Sequence, residues 1–243
     1  MSGILNWINR ETKKGTLHFT LIDPEKPDNL KQKAKELKLM GSDAFLVGGS
    51  TNIRKNVLDK TVKILKKTSM PVILYPGDIN GVTKYADAIL FMSLMNSKNP
   101  YWITGAQAKS SISVKQSKLE PLSMGYIIVE PGGAAGRVGE AELIKRTDSK
   151  KAIGYALAAQ YMGMSLVYLE AGSGAATPIP VNMVKKVKKA VSIPLIVGGG
   201  IRDAAAAKAA TKAGADIIVT GNVTEDNFDA IKGIITAIKN VKR

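Results

Sequence analysis

Three sets of residues in this sequence have the types and spacing to do chemistry. The first is Asp23 in Asp23-Pro24-Glu25-Lys26, with Ser50 in Gly48-Gly49-Ser50-Thr51. A carboxylate and a hydroxyl of this kind could hold a hard cation, because magnesium takes one or two carboxylates and shares its other positions with water and substrate phosphates. Asp23 equally fits an Asx-turn at an Asp-Pro corner, and Ser50 the N-cap of a helix opening near Asn52. The second set is glycine. Gly172-Ser173-Gly174, Gly198-Gly199-Gly200 and Gly221-Asn222 follow three successive apolar runs, and the middle one leads through Ile201-Arg202-Asp203 into an alanine-rich helix. Bare backbone N–H groups beside a helix N-terminus can cradle phosphate oxygens; the alternative is three tight turns. The third set is Tyr168 and Glu170, two positions apart and so on one side of a strand. Glu170 could take a proton from a substrate hydroxyl or pair with a lysine. His18, the single histidine, reads as a packed strand residue.

Something must bring these groups together. Eight short apolar runs recur: Thr16–Ile22, Ala44–Val47, Val72–Tyr75, Ala88–Met92, Tyr126–Val129, Leu166–Leu169, Pro194–Val197 and Asp216–Thr220. Each is bounded by Gly, Pro or Asp, as buried parallel strands are. Between them, Asp28–Met40, Asn52–Lys67, Pro180–Val191, Ala204–Ala213 and Asp226–Lys239 carry helical periodicity. The expected architecture is a single α/β domain over residues 1–243, a TIM-type (β/α)8 barrel; an open doubly wound sheet is the competitor. The twelve residues from 76 to 87 are too few and too rich in Gly, Pro and Asp for a crossover helix, so the third helix is expected to be missing or replaced. A helix is expected near Pro100–Val114. Glu130–Gly139, with four glycines in ten residues, reads as a mobile loop.

The composition narrows the function classes. The chain has 243 residues, of which 45% are hydrophobic and 23% charged, which excludes global disorder. It has no Cys, so disulfides, zinc-thiolate sites and a Cys nucleophile are excluded. No secretion signal or apolar stretch of membrane-spanning length is present, so a cytoplasmic protein is expected. The net charge of +15 favours an anionic partner: nucleic acid, a membrane surface or a phosphorylated substrate.

Taken together, LIDPEK at 21–26, VGGST at 47–51, SLMNSKNPYWI at 93–103, EPGGAAGRVG at 130–139, YLEAGSGA at 168–175, VGGGIRD at 197–203 and VTGNV at 219–223 resemble the geranylgeranylglyceryl phosphate synthase family. The resemblance implies a modified TIM barrel with helix three replaced. It implies transfer of a polyprenyl (geranylgeranyl) group from its diphosphate to the C3 hydroxyl of sn-glycerol 1-phosphate, forming an ether in membrane lipid biosynthesis. It places Mg²⁺ at Asp23 and Ser50. It places glycerol 1-phosphate at Tyr168, Leu169, Glu170, Ala171, Gly172, Ser173 and Gly174, with Gly199, Gly200, Gly221 and Asn222. Glu170, with Tyr168, is then the catalytic pair, and Lys26 assists at the diphosphate. The prenyl groove is expected among Ile79, Val82, Tyr85, Met92, Met95, Tyr101 and Trp102. Arg137 departs from the aromatic common at its place in this branch. The resemblance also implies a homo-oligomer, dimer or hexamer; peripheral membrane contact follows from the charge and the lipid tail.

Two other readings compete. A phosphosugar barrel enzyme of amino-acid biosynthesis would share the phosphate turns, but no pair of catalytic carboxylates or Lys–Glu set stands in the right strands. A nucleic-acid-binding protein rests on the charge alone: the lysines are scattered along helices and no binding motif is present.

Overall fold

The computed structural model describes residues 3–26, 29–49, 51–221 and 228–241. Eight parallel strands close into a barrel in sequence order: β1 (Leu17–Ile22), β2 (Ala44–Gly48), β3 (Val72–Tyr75), β4 (Ala88–Leu94), β5 (Glu120–Ile128), β6 (Leu166–Glu170), β7 (Leu195–Gly198) and β8 (Ile217–Thr220), with β8 paired back to β1. The open-sheet alternative is therefore excluded. Each apolar run of the sequence lies in a strand. β5 starts well before its run, because Glu120, Pro121 and Ser123 dilute its apolar signal while still pairing with β4.

Side chains alternate across this wall. Phe19, Leu46, Leu90, Met124, Tyr168 and Ile196 fill the inside, whereas Val47, Leu74, Val167 and Leu169 face the helices. The outer layer holds α2 (Leu30–Met40), α3 (Lys55–Lys66), α4 (Ala106–Ser117), α6 (Ser149–Tyr161), α7 (Val181–Ala190), α8 (Ala204–Lys212) and the C-terminal helix Phe228–Lys239. Their buried positions follow the expected spacings: Leu30, Ala34 and Leu37 in α2, and Met183, Val184 and Val187 in α7. Residues 76–87 form turns and extended chain with no helix, as the twelve-residue gap predicts. Two elements differ from expectation. An N-terminal helix α1 (Ile4–Glu11) closes the lower end of the barrel, with Ile8 buried and Trp7 stacked on Phe19 at 6.1 Å. The segment read as a mobile loop instead carries a short helix, α5 (Gly133–Val138). Its tightness explains its glycines: Gly132 N–H donates to the Ala171 carbonyl at 2.9 Å, and a methyl on Gly136 would come within 2.9 Å of Leu143.

The lower rim, at the N-terminal ends of the strands, is held by a repeated device. Asp43, Asp87 and Asp216 each stand just before an even-numbered strand. Each accepts a backbone N–H from the preceding strand's edge: His18 at 2.7 Å, Val72 at 2.8 Å and Leu195 at 2.7 Å. Each also pairs with a lysine: Lys66 of α3 at 2.5 Å and Lys188 of α7 at 2.6 Å come from the helix leading into the odd strand, and Lys239 at 2.5 Å comes from the C-terminal helix that follows β8. At the fourth equivalent place, between β5 and β6, Ser123 and Ser165 meet at 3.1 Å in their stead. Just inside this rim His18 is fully buried, between Ser42 at 3.1 Å and Thr220 at 2.8 Å. Burial pushes its imidazole down to about 3, so the ring is neutral and structural.

Candidate active site

A cavity of about 650 Å³ opens at the C-terminal ends of the strands. This is the end of such a barrel where loops are free to vary and function collects. Its two sides differ in chemistry.

The polar side is built by β6, β7, β8 and β1. Tyr168, Glu170, Ser173, Gly174, Gly199, Gly200 and Gly221 line it together, with Asp23 and Lys26 from the β1 turn. The glycines are required by close approach. Gly199 has φ +80°, and a methyl there would overlap Glu170 Oε1 and come within 2.8 Å of the Gly172 nitrogen. Gly200, at φ +72°, would meet the Thr177 carbonyl carbon at 2.6 Å. Helix α8 starts immediately beyond, with Asp203 capping it through the Ala206 N–H at 2.8 Å. Arg202, which no spacing rule singled out, lines the same side and donates to the Gly174 carbonyl at 2.8 Å. Leu169 and Ala171 point outward into the helix-facing layer, and Gly172 contributes through its backbone rather than to the wall. Ser50 and Asn222 lie outside the described residues. The helix after β2 starts at Lys55 with Arg54 as its N-cap, later than the Asn52 start that the Ser50 cap reading required.

Glu170 is 5% exposed, and its Oε1 accepts the Gly172 N–H at 2.6 Å. Among the described residues no lysine or arginine bonds it, so the salt-bridge reading falls. Burial raises its pKa; the Gly172 N–H and the Tyr168 and Tyr126 hydroxyls oppose the rise. Those hydroxyls belong to a tyrosine cluster that sequence spacing did not reveal. Tyr75, Tyr126 and Tyr168 come from three strands; Tyr75 donates to Tyr126 at 2.7 Å, and Tyr168 stacks on Tyr75 at 6.1 Å and meets Tyr126 edge-on at 5.2 Å. Burial holds all three phenols well above their ordinary range, so they stay protonated. The only advance signal was that each ends or nears the end of an inward-facing strand register.

The apolar side is formed where helix three is absent. Leu90, Met92 and Leu94 line it from the inner face of β4, and Ile89 and Phe91 from its outer face. The cavity therefore runs over the rim of β4 into the space that a crossover helix would fill. Ile79 and Val82 flank it on one side and Trp102, Ala106 and Val138 on the other. A π-helical turn, Tyr101–Gly105, carries Trp102 and is tied to β4 by Ser93 Oγ on the Ile103 carbonyl at 2.8 Å and by Gln107 Nε2 on the Met92 carbonyl. Of the seven expected groove residues, Ile79, Val82, Met92 and Trp102 line the cavity. Tyr85 instead lies under Lys63, whose Nζ is 3.9 Å from the ring centre, Met95 packs behind β5 against Gly125, and Tyr101 turns its ring edge-on to Trp102. Arg137 is exposed and is not part of the wall.

Asp23 tests the metal expectation. Its Oδ1 accepts the Glu25 N–H at 3.0 Å, so the Asx-turn is present, yet the carboxylate still lines the cavity. Asp78, across the mouth, gives both oxygens to backbone N–H groups, of Asn52 at 2.5 Å and Asn80 at 2.8 Å. Among the described residues no group of three or more His, Cys, Asp or Glu could cage a metal. A hard cation held at Asp23 would draw most of its ligands from water and substrate phosphates.

The sequence profile of the PcrB family matches residues 6–242. Geranylgeranylglyceryl phosphate synthase of Methanosphaera stadtmanae is 52% identical over 234 residues, 95% of this chain and 96% of that protein. The Pyrococcus furiosus protein of the same name is 54% identical over 222 residues, 90% and 88% of the two chains. The crystal structure of (S)-3-O-geranylgeranylglyceryl phosphate synthase from Thermoplasma acidophilum, in complex with its substrate sn-glycerol-1-phosphate, superposes with a TM-score of 0.95 at 43% identity, covering 99% of this chain and 100% of that one. With agreement this close along nearly the full length, the chain belongs to the PcrB family, the family of these geranylgeranylglyceryl phosphate synthases.

Proposed function

We propose that this protein joins sn-glycerol 1-phosphate to a polyprenyl diphosphate, of geranylgeranyl length by analogy with its relatives. The observation that carries this reading is one cavity with two chemistries: a glycine-lined polar wall beside a buried carboxylate, continuous with an apolar channel over β4.

The parts follow from the geometry. Gly199, Gly200 and Gly221, with Ser173, receive the glycerol phosphate group near the α8 N-terminus. The C3 hydroxyl is then within reach of Glu170, whose raised basicity suits it to accept the hydroxyl proton. The oxygen attacks C1 of the prenyl chain, the C1–O bond to diphosphate breaks, and its electron pair leaves with diphosphate. Positive charge gathers on the allylic carbon as that bond lengthens. The faces of Tyr75, Tyr126 and Tyr168 supply negative π density beside it. Asp23 would hold Mg²⁺ at the diphosphate, where the ion supplies Lewis-acid neutralisation of the leaving oxygens. Lys26 and Arg202 line the same region. The apolar channel takes the tail, and its depth selects the chain length.

The reading is tested by incubating the protein with labelled sn-glycerol 1-phosphate, geranylgeranyl diphosphate and Mg²⁺. An ether-linked lipid phosphate stable to mild base is expected. No such product would overturn the reading, and full activity in chelator would remove the metal assignment. The homo-oligomer remains part of the proposal, checked by light scattering. A cytoplasmic location is likewise part of the proposal; separately, none of the described helices is long and apolar enough to cross a membrane.

A further inference from the structure

A second concavity, of about 860 Å³, lies outside the barrel between α2 and α3. Lys31, Lys35, Arg54 and Lys60 line it; Glu25, 3.9 Å from Arg54, is the one acidic residue among its described walls. Half-buried Val57 and Ile64 give it an apolar floor. It borders the cavity through a single turn. Asp23 and Lys26 line the cavity, whereas Pro24 and Glu25, between them in sequence, line the groove. The next loop divides likewise: Thr51 lines the cavity and Arg54 the groove.

The chemistry of the groove separates its possible occupants. A single nucleic-acid strand is held by cations interleaved with stacking aromatics, and among the described residues no aromatic lines this groove. A small free phosphate is held most firmly where backbone N–H groups at glycine turns converge with the cations, and among the described residues no glycine lines the groove either. Cations around an apolar floor match the boundary between anionic headgroups and acyl chains.

We infer that the α2–α3 groove docks the enzyme on an anionic lipid surface, with headgroup phosphates against Lys31, Lys35, Arg54 and Lys60 and the cavity mouth turned to the bilayer. This rests on the prenyl-transfer reading, which gives the enzyme a substrate tail and a product that partition into lipid. Docking at this place lets the tail pass between bilayer and cavity without crossing water.

The test uses the full chain and phosphatidylcholine vesicles with and without phosphatidylglycerol. The protein is expected to co-sediment with the anionic vesicles only, and to be released by salt. Each cation near such a surface contributes about fivefold in affinity, so the combined Lys31→Glu, Lys35→Glu and Lys60→Glu variant should bind at least about 100-fold more weakly. A control carrying Lys185→Glu, Lys189→Glu and Lys212→Glu makes the same charge change on α7 and α8 and should lose less than about tenfold. Thermal melting checks that both variants fold; a Gln triple at the groove positions should give an intermediate loss. Equal losses in groove and control variants, equal binding to neutral vesicles, or displacement by RNA or inorganic diphosphate at matched ionic strength would overturn the proposal. Turnover of a water-soluble short prenyl diphosphate without vesicles is measured separately. Turnover without vesicle binding sinks the docking alone, and vesicle binding without turnover sinks the reaction alone.

Discussion

The two ends of the barrel use carboxylates in opposite ways. At the lower rim Asp43, Asp87 and Asp216 each meet a lysine and a strand N–H, which ties a helix to two strands. At the upper end Glu170 is buried with hydroxyls and one backbone N–H but no cation. A paired carboxylate is spent on holding the fold together. One buried without a cation keeps a raised pKa and can still take a proton. On the proposed reading the molecule places stability at one end and reactivity at the other, as barrels of this kind do.

The sharpest way to break this contrast is Glu170→Gln. Loss of the base should lower kcat by about 10³-fold, read from steady-state kinetics. Because folding raises the Glu170 pKa, its contribution to stability is fully present below the unfolded value of 4.5 and is lost as pH rises through the folded value. At neutral pH the amide should therefore raise Tm while it removes activity. An equal fall in both would contradict the contrast.

Gly199→Ala attacks the phosphate side. The added methyl would overlap Glu170 at a positive φ, so kcat/KM for glycerol 1-phosphate should fall about 100-fold. A fall confined to the prenyl substrate's KM would place the phosphate cradle elsewhere. At the lower rim the expectation reverses. Asp216→Ala leaves Lys188 and the Leu195 N–H without this partner, which should cost about 3 kcal/mol in urea unfolding with kcat nearly unchanged. At neutral pH the smallest effect belongs to His18. Its folded pKa of about 3 lies below its ordinary 6.5, so its stability contribution is present above pH 6.5 and lost as pH falls toward 3. The limiting slope is about 1.4 kcal/mol per pH unit. His18→Gln should flatten that acid slope and leave the alkaline side unchanged; an unaltered slope would show that His18 is not the group responsible.

Much of this was legible in the residues. All eight strands announced themselves, because a strand buried on both faces must be apolar throughout. The missing third helix could be read from twelve residues, since a crossover helix has a minimum length. The glycine turns of the proposed phosphate cradle were legible because only glycine tolerates contacts as close as those at Gly199 and Gly200. Helix α1 went unread, being only eight residues long. Helix α5 is hidden in the sequence, because the four glycines of residues 130–139 mark close packing against Leu143, Gly172 and Leu94 as readily as freedom. The tyrosine cluster left no local trace: Tyr75, Tyr126 and Tyr168 lie far apart in the chain and meet only across the closed barrel.

By itself the sequence determined the strand count, the gap, the glycine turns and the alternation that places Tyr168 and Glu170 on one side. These are local matters of periodicity, chain length and backbone freedom. The tertiary structure alone decided which carboxylates pair with a lysine and which are buried among hydroxyls instead, because that depends on lysines contributed by distant helices. It also decided that the cavity spills over β4, since an absent helix becomes a channel only when the neighbouring elements leave its space open.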